Sequence, residues 1–357
     1  MTAGGKPPAE PSELAPAHVG RGRRRRRLVV ATAGLVVIAA VAAVGATLGR
    51  AATTATVVRL VVAGDMACDP HDPDLSPDGA GSPDASRPRP GTVGARQASG
   101  DPCRHDSVAR LAVGLRPDLV LGLGDYQHET QTAAAYRDVY EPSWGRLRDI
   151  TVPVFGNQEY TVANARTFVD YFGDRVVDER GYWSQEVGSW HLVVLNSNCA
   201  SVGGCGDGSA QQQWLETDLA GAHGCVLAAW HHPRWSNGIG GPNERTGALF
   251  RTLYRHGVEL VLSGHDADYE RFGPLDPDGR RDANGVRQFV VGTGGQARYR
   301  PTPADTPWRG KITAPGSEFA DYDHHGVLEL ELRPGRWRWS FHTIDADVVD
   351  QGEGSCT

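Results

Sequence analysis

Apolar positions along this chain fall into three regimes. Leu28–Gly49 is apolar and uncharged over about the length that a helix needs to cross a bilayer. Asp69–Pro102 has no apolar periodicity and is dense in Asp, Pro, Gly and Ser, which predicts a long surface loop. Short apolar runs then alternate with stretches of helical spacing. Strands are predicted over Val57–Ala63, Leu119–Leu123, Val152–Phe155, Tyr182–Glu186, His191–Asn196, Val226–Trp230, Glu259–Leu262, Gln288–Val291, Gly326–Leu332 and Trp337–His342. Helices are predicted over Ser107–Leu115, Gln131–Tyr140, Ala163–Tyr171, Ala210–Leu219 and Arg245–His256, with Ser209 and Gln212 forming a capping box. Strand–helix alternation predicts an α/β fold with βαβ units. The late strands follow one another without helices, which predicts a second, partly antiparallel sheet.

The length of 357 residues allows one large domain with extra segments. The basic run Arg21–Arg27 sits directly before the apolar segment, which places the N-terminus in the cytoplasm and exports the rest. The spacing therefore predicts a disordered basic tail (residues 1–27), a transmembrane anchor (28–49), a linker (50–56), a folded domain (57–345) and a C-terminal tail (346–357). The expected location is the cell membrane, single-pass, with the domain outside the cytoplasm. Export with cleavage is the alternative, because Ala51, Ala52 and Ala55 follow the apolar run, and the paired arginines loosely resemble a twin-arginine signal. Net charge is −7, and the folded region has no basic patch interleaved with aromatics, which argues against a nucleic-acid partner.

All six cysteines follow the apolar segment, and an even count in an exported domain favours disulfides. Cys199 and Cys205 flank a Gly-rich loop and are expected to pair. Cys68 and Cys103 bracket the long loop, and Cys225 and Cys356 remain. Sequence alone does not fix this connectivity. No CxxC pair exists, so a thiolate zinc site is not the favoured reading.

Five short segments carry the chemistry: Gly64–Cys68 (GDMAC), Gly124–His128 (GDYQH), Gly156–Glu159 (GNQE), Trp230–Pro233 (WHHP) and Gly264–Asp268 (GHDAD). Each follows an apolar run and puts Asp, Asn or His at the end of a predicted strand, where open α/β sheets bind ligands. One such turn is ordinary. Five in order, each with a carboxylate, amide oxygen or imidazole, suit Zn, Fe or Mn.

With these motifs the chain resembles the calcineurin-like metallophosphoesterase superfamily, and within it the purple-acid-phosphatase-like bacterial branch. The likeness runs from about Val57 to His342. It includes Asn196–Cys199, Trp235-Ser236, Tyr269–Arg271 and Gly292–Gly295. The resemblance implies a four-layer sandwich of two mixed β-sheets flanked by helices, with a two-metal site. By position, Asp65 would hold the first metal, Asp125 would bridge, and Asn157, His231 and His265 would complete the second. The implied reaction is hydrolysis of phosphate mono- or diesters, with a phosphorylated small molecule or polymer as substrate. Three positions depart from the family pattern. His128 replaces a tyrosine, Gln158 replaces the histidine that assists the leaving group, and Ala267 replaces a histidine ligand of the first metal. His128 is a candidate replacement ligand, and Gln158 and His232 are the candidate catalytic groups. The expectation is one firm and one weakened metal site. The alternative is a relative that binds a phosphorylated ligand without turnover.

Overall fold

A computed structural model describes residues 57–72, 75, 103–298 and 314–356. The anchor predicted at 28–49, and most of the long acidic loop, lie outside the described residues. Among the described residues no helix is long and apolar enough to cross a membrane.

Two mixed sheets pack face to face, with helices on their outer sides. The first sheet has the order β13-β12-β11-β1-β2-β3 and the second β10-β8-β9-β7-β6-β5-β4. In the first sheet, β1 (Val58–Ala63), β2 (Leu119–Gly122) and β3 (Thr151–Pro153) run parallel, while β11 (Gly326–Arg333) joins β1 antiparallel. In the second, β5 (Trp190–Val194), β6 (Cys225–Ala229), β7 (Leu260–Ser263) and β9 (Arg287–Val291) are parallel neighbours. Alternation on each strand sorts the core. Leu60, Val62, Leu121, Leu227, Leu262 and Phe289 fill the space between sheets, whereas Val61, Ala63 and Val120 face outward onto the helix His105–Gly114. A third apolar layer, including Leu215, Leu249 and Leu253, lies under the helices Ala210–Gly221 and Gly247–Arg255.

The sequence reading is right on most elements and misses several edges. Gln131–Tyr140 is not one α-helix: Ala133–Ala135 passes into a π-helical turn, Tyr136–Tyr140. The helix predicted at Ala163–Tyr171 begins only at Arg166, after Asn164 and Ala165 in left-handed conformations. Ser209 accepts the Gln212 N–H as a cap, but the Gln212 side chain turns back to the Gly208 N–H instead of completing the box. Strands β8 (Tyr269–Phe272) and β10 (Ser317–Asp321) were not anticipated. The residues expected as a tail form β13 (Val348–Ser355), paired to β12 (Arg336–Thr343). Polar, Gly-rich β13 has little strand propensity of its own. Its glycines matter by position, because a side chain at Gly352 or Gly354 would collide with Trp339 or Trp337.

Cysteines pair as Cys68–Cys103, Cys199–Cys205 and Cys225–Cys356. The last ties the residue after β13, on the first sheet, to the first residue of β6 on the second.

One buried histidine gives the fold a pH dependence. His191 on β5 reaches Asp218 on the helix Ala210–Gly221 at 2.9 Å and Glu186 on β4 (Trp183–Val187) at 2.7 Å. The Asp218 hydrogen bond outweighs burial and lifts His191 from 6.5 to about 8. A raised histidine stabilises fully below its unfolded value and loses that contribution as pH rises through the folded one. Glu186 is mostly exposed, so after screening the effect is about 1 kcal/mol. The urea midpoint is therefore expected to fall between pH 6.5 and 8.5 in the native protein, and more weakly in His191→Gln. Parallel profiles for the two proteins would contradict this.

Candidate metal centre

The five motif turns lie at one rim, where the carboxyl ends of β1, β2, β3, β6 and β7 from both sheets meet. Backbone bonds lock the turns together: Asp65 N–H donates to Gly124 O (3.1 Å), and Gly264 N–H to His231 O (3.0 Å). Three of the polar residues sit in left-handed conformations that non-glycine residues rarely adopt: Asp65 (φ 55°), Asp125 (φ 54°) and His265 (φ 73°). Such strain persists only where the surroundings over-determine it, and it concentrates at functional sites. Gly156 is required by close approach, since a Cβ there would collide with the Asp125 carboxylate.

One cluster gathers Asp125, Asn157, His231 and His265. His231 Nε2 is 3.0 Å from Asn157 Oδ1, 3.2 Å from His265 Nδ1 and 3.4 Å from Asp125 Oδ2. Atoms each bonded at about 2.1 Å to one cation stand about 3.0–3.4 Å apart in octahedral or tetrahedral arrangements. The three distances from His231 Nε2 fall in that range. His231 is fully buried, and its Nδ1–H donates to Leu123 O at 2.7 Å. That bond directs the Nε2 lone pair into the cluster, as an outer partner does for a ligating imidazole.

The other cluster is Asp65, Asp125 and His128, all buried, with ligand atoms within 4.8 Å of one another. His128 Nε2 is 3.7 Å from Asp65 Oδ1. Asp125 thus belongs to both clusters. Ala267 offers no donor, and the flanking acids do not replace it in this group. Asp266 is held by Ser236 Oγ and the Gly240 N–H. Asp268 is buried, and burial together with Glu270, Asp266 and Asp65 pushes its carboxyl well above the usual range. Hard and borderline donors in both clusters fit Zn, Fe or Mn.

Electrostatics follow from burying charged groups beside one another. Burial alone would lower His231, but the Asp125 charge outweighs it and lifts the imidazole to about 9. Burial alone would raise Asp125, but His231 and the Gln158 N–H (2.9 Å) hold it well below the carboxylate range. Burial, then the neighbouring His231 and His265, keeps His232 well below its ordinary value.

Two residues that matter here had no role in the sequence reading. Glu159, buried, accepts backbone N–H bonds from Asp125 (3.0 Å), Tyr126 (3.0 Å) and Gly156 (2.7 Å), so one carboxylate clamps the second and third motif loops. Its place in GNQE was visible, but the convergence of three donors was not. Ser197 contacts His232. Gln158 uses its amide oxygen to accept the Glu129 N–H (3.2 Å). The late Tyr322–His325 group lies outside both clusters: Asp323 and His325 line a cavity of about 350 Å³ with Arg104 and Arg298, which contains no cluster residue.

Residues 58–269 match the family described as calcineurin-like phosphoesterase. Purple acid phosphatase 15 from Arabidopsis thaliana is 29% identical over 230 residues, covering 53% of this chain and 42% of that protein. Probable purple acid phosphatase 20 from the same plant is 25% identical over 248 residues, covering 60% and 54%. The chain spans about half the length of the curated relatives it matches. Among solved structures, purple acid phosphatase PPD1 from yellow lupin (Lupinus luteus) seeds superposes with a TM-score of 0.63 at 18% identity, over 84% of this chain and 54% of that one. The family match covers more than half of the sequence and contains every motif turn, so this chain belongs to the calcineurin-like phosphoesterase family.

Proposed function

We propose that the protein is a metal-dependent phosphoesterase that hydrolyses phosphate mono- or diesters at an altered dinuclear site. The observation that carries this reading is the sharing of Asp125 between two clusters whose donors suit transition metals. Asn157, His231, His265 and Asp125 would hold one ion firmly. Asp65, Asp125 and His128 would hold the other more weakly, with His128 acting in place of the missing histidine at 267. The chemistry supplied by two bound cations is polarisation of a phosphoryl oxygen and acidification of a water molecule. The remaining steps belong to the chain. Glu159 fixes the loops that carry Asp125 and Asn157. Leu123 O sets the His231 tautomer. Gln158 can donate its amide to a phosphate oxygen but cannot release a proton to the leaving group, which predicts slow turnover.

Location is part of the same proposal. Three disulfides support an oxidising compartment, and Arg21–Arg27 before Leu28–Gly49 supports an exported domain on a membrane anchor or one released by cleavage. The second reading, binding without turnover, is favoured by Gln158 and Ala267.

The test is metal content by mass spectrometry together with hydrolysis of an aryl phosphate after loading with Fe, Zn or Mn. Two ions per chain and turnover are expected. His128→Ala is expected to retain about one ion and lose most activity. Tight metal without turnover under every loading would move the protein to the binding reading, and no bound metal would overturn both.

A further inference from the structure

His232 follows a candidate ligand and lies against the firmer cluster. Its ring centroid is 4.9 Å from that of His231 and 4.4 Å from that of His265. A ring nitrogen of His232 lies within 4.8 Å of one in each neighbour. Its Nδ1 is 2.8 Å from Ser197 Oγ, and the same oxygen accepts the His232 backbone N–H at 2.9 Å.

This small circuit determines where the ring proton sits. Ser197 is buried, 3% exposed, and among the described residues its hydroxyl has no other hydrogen bond. A buried hydroxyl proton needs an acceptor. The backbone N–H of His232 can only donate, which leaves Nδ1 as the acceptor within reach. If Nδ1 accepts, the neutral ring carries its proton on Nε2. Among the described residues Nε2 has no hydrogen-bond partner. It is therefore a fixed donor on a ring that packs against both imidazoles.

We propose that Ser197 is a positioning residue that holds His232 as its Nε2–H tautomer, so that His232 donates a hydrogen bond to a phosphate oxygen bound at the His231–His265 cluster. The assignment deepens the phosphoesterase reading and rests on it for the nature of the ligand. It also explains how phosphate is gripped when position 158 carries glutamine. A merely structural serine would serve equally well with either ring tautomer.

The test uses the full-length, zinc-loaded protein with 15N-labelled histidine and inorganic phosphate as the probe. Long-range 1H–15N spectra should show His232, identified by its loss in His232→Gln, as the Nε2–H form. Ser197→Ala should abolish that preference, and Ser197→Thr should restore it. Calorimetry should show phosphate binding weakened about ten- to a hundredfold in Ser197→Ala and in His232→Gln, the range for a hydrogen bond to a charged group. Zinc content should stay unchanged, and Ser197→Ala should have no further effect in the His232→Gln background. An Nδ1–H form in the native protein, or unchanged phosphate affinity in His232→Gln, overturns the proposal. Where Ser197→Ala does not fold, the native spectrum and Ser197→Thr decide. Phosphate binding that depends on His232, in a protein that hydrolyses no ester, would sink the hydrolytic reading and leave this assignment standing.

Discussion

Asp125→Ala is expected to empty both metal positions and reduce aryl phosphate turnover to background. The side chain serves two clusters at once: one oxygen is 3.4 Å from His231 Nε2, and the carboxylate also groups with Asp65 and His128. The chain invests heavily in placing it. Its backbone is left-handed, its N–H is held by Glu159, and its Oδ1 accepts the Gln158 N–H. Outer-shell substitutions at metal sites cost about 10–100-fold in affinity or activity, and a shared ligand should cost well beyond that. Mass spectrometry of bound metal and the ester assay measure the two effects separately. Thermal melting of the metal-free protein serves as the control, because Asp125 also balances the charge on His231. One ion retained, with a rate within a few-fold of native, would refute the shared-ligand assignment.

The opposite experiment should raise activity. Gln158→His is expected to increase kcat by about 10²–10⁴, the usual contribution of a positioned general acid. Position 158 is half-buried beside Asp125, and its backbone N–H already anchors that carboxylate, so the new ring enters a loop that is otherwise intact. The lost contact is the amide acceptor for Glu129 N–H, a single exposed hydrogen bond. Ala267→His acts differently: it should tighten the ion at Asp65 and His128 and raise metal stoichiometry at limiting metal, with a smaller effect on kcat. A double variant that gains neither metal nor rate would show that this rim differs from a working phosphatase by more than two side chains.

Much of this rim could be read from residue order because its signal is local. A buried parallel strand shows as an apolar run, and the following Gly-Asp, Gly-Asn or His marks the turn that ends it. The edges were not legible for the same reason. β13 has almost no apolar alternation and exists because Trp337 and Trp339 leave space that only Gly354 and Gly352 fill. The π-helical turn at Tyr136–Tyr140 carries rings that pack on one another and on Phe172, contacts between distant segments that no local helical period reports. Ser197 and Glu159 act through partners 35 and 34 or fewer positions away, which no motif spacing encodes. The Cys199–Cys205 pair could be anticipated because its loop is short, whereas Cys225–Cys356 depends on how the two sheets stack.

The pairing of β1 with β11 sets a timetable for biogenesis. The strand that leads into Asp65 leaves the ribosome well before its antiparallel neighbour, with most of the described chain synthesised between them. Until Leu328 and Leu330 arrive, one flank of that strand has no mate and the rim cannot close. Ion capture is therefore a late event, and a nascent polypeptide interrupted before Gly326 should remain chaperone-dependent and metal-free however much of it has already emerged.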